Sequence, residues 1–170
     1  MITPSTPIYI LPGSTLKQAT IDRLLTTFCT TSALQDMGVP PSPLTFHDVP
    51  AKTHQCTSLA QIADYHMKNK EETVSVEPVI ILDDLSEGED GTVLVVGFPM
   101  EKDEASLSDD EEKESAQKGT LIDEEAYPRV RVMPMWINPL VADLSIGHQD
   151  LSLYIETAQD GVFRGFPNMD

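Results

Sequence analysis

The stretch Ile8-Tyr9-Ile10-Leu11-Pro12-Gly13-Ser14-Thr15 decides the fold class. Four apolar residues, too few for a helix, read as a short buried strand. Pro12 and Gly13 then break it, and Ser14 or Thr15 is a residue type that caps a helix. Beyond the break, Leu16, Ala19, Leu24 and Phe28, with Ile21 and Leu25 beside them, recur at the spacing of one helical face. Strand, turn and helix in that order open an α/β unit.

Downstream, Gly38-Val39-Pro40-Pro41-Ser42-Pro43 is a loop, because its prolines preclude regular hydrogen bonding. Leu44-Thr45-Phe46 predicts a second strand that ends at His47-Asp48-Val49-Pro50. A second helix is expected from about Ser58 to Lys68, capped by Thr57 or Ser58, with Leu59, Ile62, Ala63 and Met67 inward. Pro78 to Leu82 is a continuous apolar run of the kind that lies in the middle of a sheet, covered on both faces. After a turn at Ser86–Gly91, Thr92 to Phe98 reads as its hairpin neighbour. Arg129-Val130-Arg131-Val132 alternates as a half-exposed strand. Leu151, Tyr154, Ile155 and Ala158 mark a last helix, ended by Asp160-Gly161 with the glycine in the left-handed position. The fold expected over residues 1–170 is a single α/β domain, a short mixed sheet flanked by helices.

One segment departs from this pattern. Residues 101–125 include Glu101-Lys102-Asp103-Glu104 and Ser108-Asp109-Asp110-Glu111-Glu112-Lys113-Glu114, with almost no apolar side chain. Such a stretch cannot offset its ordering entropy by burial, and it reads as a mobile acidic insertion between strands. Ser106 has Asp109 three residues on and Ser108 has Glu111, the arrangement acid-directed kinases select. Ser106 and Ser108 are therefore candidate phosphorylation sites, against the plain alternative of a solvated charge run.

The whole chain of 170 residues carries 28 acidic and 11 basic residues, for a net charge of −17. That balance repels phosphate backbones and anionic membrane surfaces, so neither nucleic acid nor membrane is expected as a partner. A basic protein partner, engaged through 101–125, is expected instead. No apolar run approaches the roughly 18 residues that span a bilayer. Ile8 to Leu11 is too short for the apolar region of a secretion signal, and a cytoplasmic setting is expected. Cys29 and Cys56 read as small core residues, since no motif activates either thiol.

The closing segment Asp160-Gly161-Val162-Phe163-Arg164-Gly165-Phe166, preceded by Trp136 and Asn138, resembles the end of a small uncharacterised domain family of bacteria and fungi. The likeness covers roughly the last third of the chain and departs from the family at Gly147-His148-Gln149-Asp150-Leu151. It implies a compact α/β domain and carries no chemistry. In that segment Phe163 and Phe166 read as anchors that fold the tail onto the core, with Arg164 satisfying carbonyls or a carboxylate. The functional alternative makes Trp136 and Arg164 a ligand-binding pair.

Ligands of open α/β sheets bind beyond the carboxyl ends of strands. Three such ends are foreseen, at Pro12-Gly13-Ser14, His47-Asp48 and Asp83-Asp84. If their strands are parallel neighbours, His47, Asp48, Asp83 and Asp84 become candidates for acid–base work or for holding a divalent metal. His47, His54, Cys56 and His66 have the right atoms for zinc but match no compact finger spacing, so no metal and no cofactor is predicted. Pro12 to Thr15 lacks the glycines and lysine of a phosphate loop, and no Gly-X-Ser-X-Gly elbow occurs. Two functions follow. The leading one is a non-catalytic accessory or protein-interaction domain. The alternative is a small-molecule binder or enzyme, accessory to specialised metabolite biosynthesis, with a cleft at the strand ends.

Overall fold

The computed structural model describes residues 6–11, 13–30, 46–48, 58–69, 78–98, 127–145 and 150–166. In chain order these form β1 (Thr6–Ile10), α1 (Gln18–Thr30), β2 (Phe46–Asp48), α2 (Leu59–Asn69), β3 (Val79–Leu82), β4 (Val93–Val96), β5 (Arg129–Val132), α3 (Ile137–Ser145), α4 (Leu151–Thr157) and β6 (Val162–Phe163). Single 3-10 turns at Asp84–Ser86 and Pro134–Trp136 follow β3 and β5.

The strands make one mixed sheet in the order β2-β1-β3-β4-β5-β6. β1 pairs in parallel with both β2 and β3, β4 runs antiparallel to β3 and β5, and β6 is parallel to β5. The chain leaves β1 toward β2 on one side and returns past it to β3 on the other. A right-handed crossover in each direction must place the two intervening helices on opposite faces. That is what is found. Ile21, Leu24 and Phe28 of α1 pack on Ile8, Ile80, Leu82, Val93, Val95, Val130 and Val132, together with α3 and α4. Ile62 of α2 packs on Tyr9, Val79, Ile81 and Val96 on the other face. Alternate residues of β1, β3 and β4 thus serve different cores, as the two-residue period of a strand requires. Val79–Leu82 is buried throughout, and Val130 and Val132 are buried beside the exposed Arg129.

The helices differ in detail from their sequence patterns. α1 begins at Gln18 rather than at Ser14 or Thr15, and Ala19 is exposed. In α2, Ser58 does cap the helix by accepting the Gln61 N–H. Its buried positions, however, include His66, 1% exposed, whereas Met67 is 44% exposed. His66 Nδ1 lies 2.8 Å from the Tyr9 hydroxyl and the ring stacks on Phe98. Periodicity alone favours the more apolar neighbour; the polar partner on β1 satisfies the buried imidazole.

α4 stops at Thr157, not at Asp160-Gly161. Those two residues, with φ of 52° and 74°, are instead the centre of a two-residue hairpin turn closed by hydrogen bonds in both directions between Gln159 and Val162. Positive φ at both positions is the property of the tight turn whose twist suits flanking extended chain, and Asp-Gly is a favoured pair there. The turn delivers Phe163 into the core, where it is 1% exposed and meets Trp136, Tyr154 and Phe166 edge-on. No described helix is long and apolar enough to cross a membrane.

Candidate functional site

The strand order reverses direction between β1 and β3, and their carboxyl ends diverge into separate loops there. At that point lies an open groove of about 270 Å³ lined by Leu11, Gly13, Ser14, Asp83, Asp84 and Leu85. In doubly wound sheets this crevice is where ligands sit.

Its two aspartates face different ways. Asp83, at the end of β3, turns inward and is clasped by Arg131 of β5: Nη1 donates to Oδ1 at 3.0 Å and Nη2 donates to Oδ2. Oδ1 also accepts the Leu85 N–H and caps the 3-10 turn, while the Asp83 N–H is received by the Ser86 hydroxyl. Arg131 Nη1 reaches the Thr92 carbonyl as well. The carboxylate and guanidinium therefore fasten the β3–β4 turn to β5, and Asp83 has little left for a ligand.

Asp84 turns outward. Its Oδ1 accepts the Thr15 N–H at 2.6 Å and the Thr15 hydroxyl at 3.2 Å. Glu87 does the same one turn later, taking the Thr20 hydroxyl at 2.8 Å and the Lys17 N–H at 3.5 Å, and Arg23 donates to the Gly88 carbonyl. An α-helix leaves its first N–H groups without partners and carries partial positive charge at that end. Here the chain's own carboxylates approach the segment that leads into α1, through Thr15 and Lys17 ahead of the helix and the Thr20 hydroxyl in its first turn.

The remaining sequence candidates fall elsewhere. β1, β2 and β3 are indeed parallel neighbours, but His47 pairs with Pro7 and Asp48 with Ile8, whereas β3 continues to Leu82 opposite Ile10. At about 3.3 Å per residue, the Asp48 backbone lies roughly 10 Å short of Asp83 along the strands, with β1 between them. The backbones of His47 and Asp48 thus lie on the sheet's edge strand, short of the groove along the strand direction; their side chains lie outside the described set. Trp136 and Arg164 are not in the groove either. The Trp136 indole is half-buried under the backbone of Gly165, and exposed Arg164 donates to the Gln159 carbonyl of its own turn at 3.0 Å. His54, Cys56, Ser106 and Ser108 lie outside the described residues, as does the side chain of Cys29. Among the described residues no group of three or more His, Cys, Asp or Glu could hold a metal ion.

The acidic stretch has a defined root. It belongs to the β4–β5 connection, whose ends are closed by the Val96–Arg129 pairing and by a Gly97 N–H to Pro128 carbonyl bond of 2.8 Å. Phe98 and Tyr127 then meet edge-on with centroids 5.9 Å apart. Because β4 runs against β3, this neck lies beside Val79, at the end of the sheet away from the groove. Arg131 and the neck are the features the sequence pattern did not expose, since each depends on pairing across a long separation.

No family model matches the chain, and neither a curated protein nor a solved structure does.

Proposed function

We propose that this chain is a non-catalytic interaction domain that engages a basic protein partner through the acidic stretch 101–125. The carrying observation is the closed neck: the sheet pairing, the Gly97–Pro128 bond and the Phe98–Tyr127 contact bring the two ends of the connection that holds that stretch together at the sheet. What the connection adds is charge. Residues 101–125 hold eleven acidic and three basic side chains, so 25 residues contribute −8 of the −17 total. Opposite charge on a partner raises its encounter rate and suppresses like-charged competitors. The engagement of Asp83 by Arg131 and of Asp84 by Thr15 adds support for a role without catalysis.

The reading carries a cytosolic setting and no contact with nucleic acid or membrane, both of which repel this charge. The resemblance of the closing segment's residues to a small domain family of bacteria and fungi goes with it and adds no chemistry. A small-molecule binder is the second reading, favoured by the groove at the β1–β3 reversal. Titration calorimetry of the full chain with a lysine-rich peptide at low and high salt tests the first: heat that fades with salt supports it, and no heat at low salt rejects it. Native mass spectrometry that finds a retained small molecule would favour the second.

A further inference from the structure

We infer that the groove at the β1–β3 reversal receives a lysine side chain of the basic partner; this rests on the interaction reading above and names a second point of contact. Lysine is a four-carbon apolar stem that ends in a compact ammonium. The groove lining holds surfaces of both kinds. Leu11 and Leu85 give apolar walls, and Leu85 is 62% exposed, the highest value among the exposed large apolar side chains of the described residues. The floor is open at Gly13, where a Cβ would meet nothing within 4 Å. Asp84 adds an exposed carboxylate to the lining. Its Oδ1 is fixed by the two Thr15 donors, and Oδ2 has no hydrogen bond among the described residues.

The class of occupant follows from what is left over. One free carboxylate oxygen suits a point-like ammonium; an arginine fork needs both oxygens in parallel. Asp83 offers such a pair, and Arg131 already takes it. An anion is disfavoured because Asp84 and Glu87 place two carboxylates against the segment leading into α1, and because the chain as a whole bears −17. Burying the stem against Leu11 and Leu85 removes apolar surface from water, which the ion pair alone, exposed as it is, would not do.

The test is an amide chemical-shift titration of the full ¹⁵N-labelled chain with an octalysine peptide, with a fully Nε-acetylated octalysine as the control. The proposal expects saturable shifts at Leu11, Gly13, Ser14, Asp84 and Leu85 with octalysine and none with the acetylated peptide. Leu85→Ser, a change at an exposed position, should weaken binding roughly threefold to tenfold while the melting temperature holds. Asp84→Asn keeps an acceptor for Thr15 and should weaken it similarly. Shifts confined to residues outside the groove, with both variants binding as the parent does, would overturn the groove and leave the acidic stretch as the partner site. An absence of octalysine binding at low salt would overturn both. Equal shifts with the acetylated peptide would show that the groove selects an apolar side chain rather than lysine, and would also overturn the proposal.

Discussion

Asp83 and Arg131, 48 positions apart, are joined by two parallel hydrogen bonds that tie the end of β3 to the middle of β5 across β4. Both side chains are largely buried, at 14% and 19% exposure. Removing one partner of such a pair leaves a charge with poor solvation, so the loss exceeds what the pair contributes against an apolar isostere. Arg131→Met is expected to destabilise the domain by about 2–4 kcal/mol. Arg131→Lys, which keeps the charge but not the fork, should cost about half of that. Urea unfolding of the three proteins measures both, and a Lys variant as stable as the parent would mean that the fork geometry contributes nothing.

Gly165 lies with φ of +110° against the indole of Trp136, and a Cβ there would come within 2.5 Å of Cζ2. Gly165→Ala therefore meets both a backbone penalty and a ring that has to move, for a loss of about 2–3 kcal/mol. Trp136 is the sole tryptophan, so its emission reports the displacement directly. An unchanged emission maximum and an unchanged melting curve would contradict the packing.

Phe163 is the hub of the same cluster, in contact with Trp136, Tyr154 and Phe166. Phe163→Ala should cost about 3–5 kcal/mol. Arg164→Lys, by contrast, alters an exposed side chain bonded to its own turn, and its effect should stay within about 0.5 kcal/mol. The two variants side by side in thermal melts separate the anchoring residue from the surface one.

Burial pushes the Tyr154 phenol well above its ordinary value, and its 2.5 Å hydrogen bond to Asp143 adds to the shift. The sign follows. A phenol harder to ionise when folded favours the native state below the unfolded value of about 10, and that contribution is lost as pH rises toward the folded value. Stability should therefore fall on the alkaline side above pH ~10. Tyr154→Phe should flatten that fall and cost about 1 kcal/mol at neutral pH for the missing bond. Denaturation curves at pH 8 to 11 compare the two slopes, and parallel slopes would contradict the assignment.

The elements that the sequence made legible are those set by local pattern. Val79–Leu82 reads as buried from its unbroken apolar run, and α1 from Ile21, Leu24 and Phe28 at helical spacing. The β3–β4 hairpin follows from a short connection. What was hidden is what depends on distant partners. Nothing near His66 announces that Tyr9, 57 positions earlier, will bond it, and Met67 has the stronger apolar signal. Asp160-Gly161 suits a helix end and a hairpin turn equally; the Gln159–Val162 pairing decides. That Asp83 and Asp84 follow a strand is legible from the apolar run before them, but adjacent identical residues give no sign that Arg131 claims one and Thr15 the other.

The central claim, that the connection rooted at the Phe98–Tyr127 neck carries a charged stretch that engages a basic partner, has one decisive measurement. Residues 101–125 are replaced by a short Gly/Ser linker, and melting temperature and octalysine affinity are measured on the same sample. With the neck closed by the Val96–Arg129 pairing and the Gly97–Pro128 bond, melting should change by no more than a few degrees. Loss of −8 of charge should weaken the peptide at low salt by roughly tenfold or more and flatten its salt dependence. A variant that binds octalysine as tightly as the parent, or that no longer folds, would contradict the account.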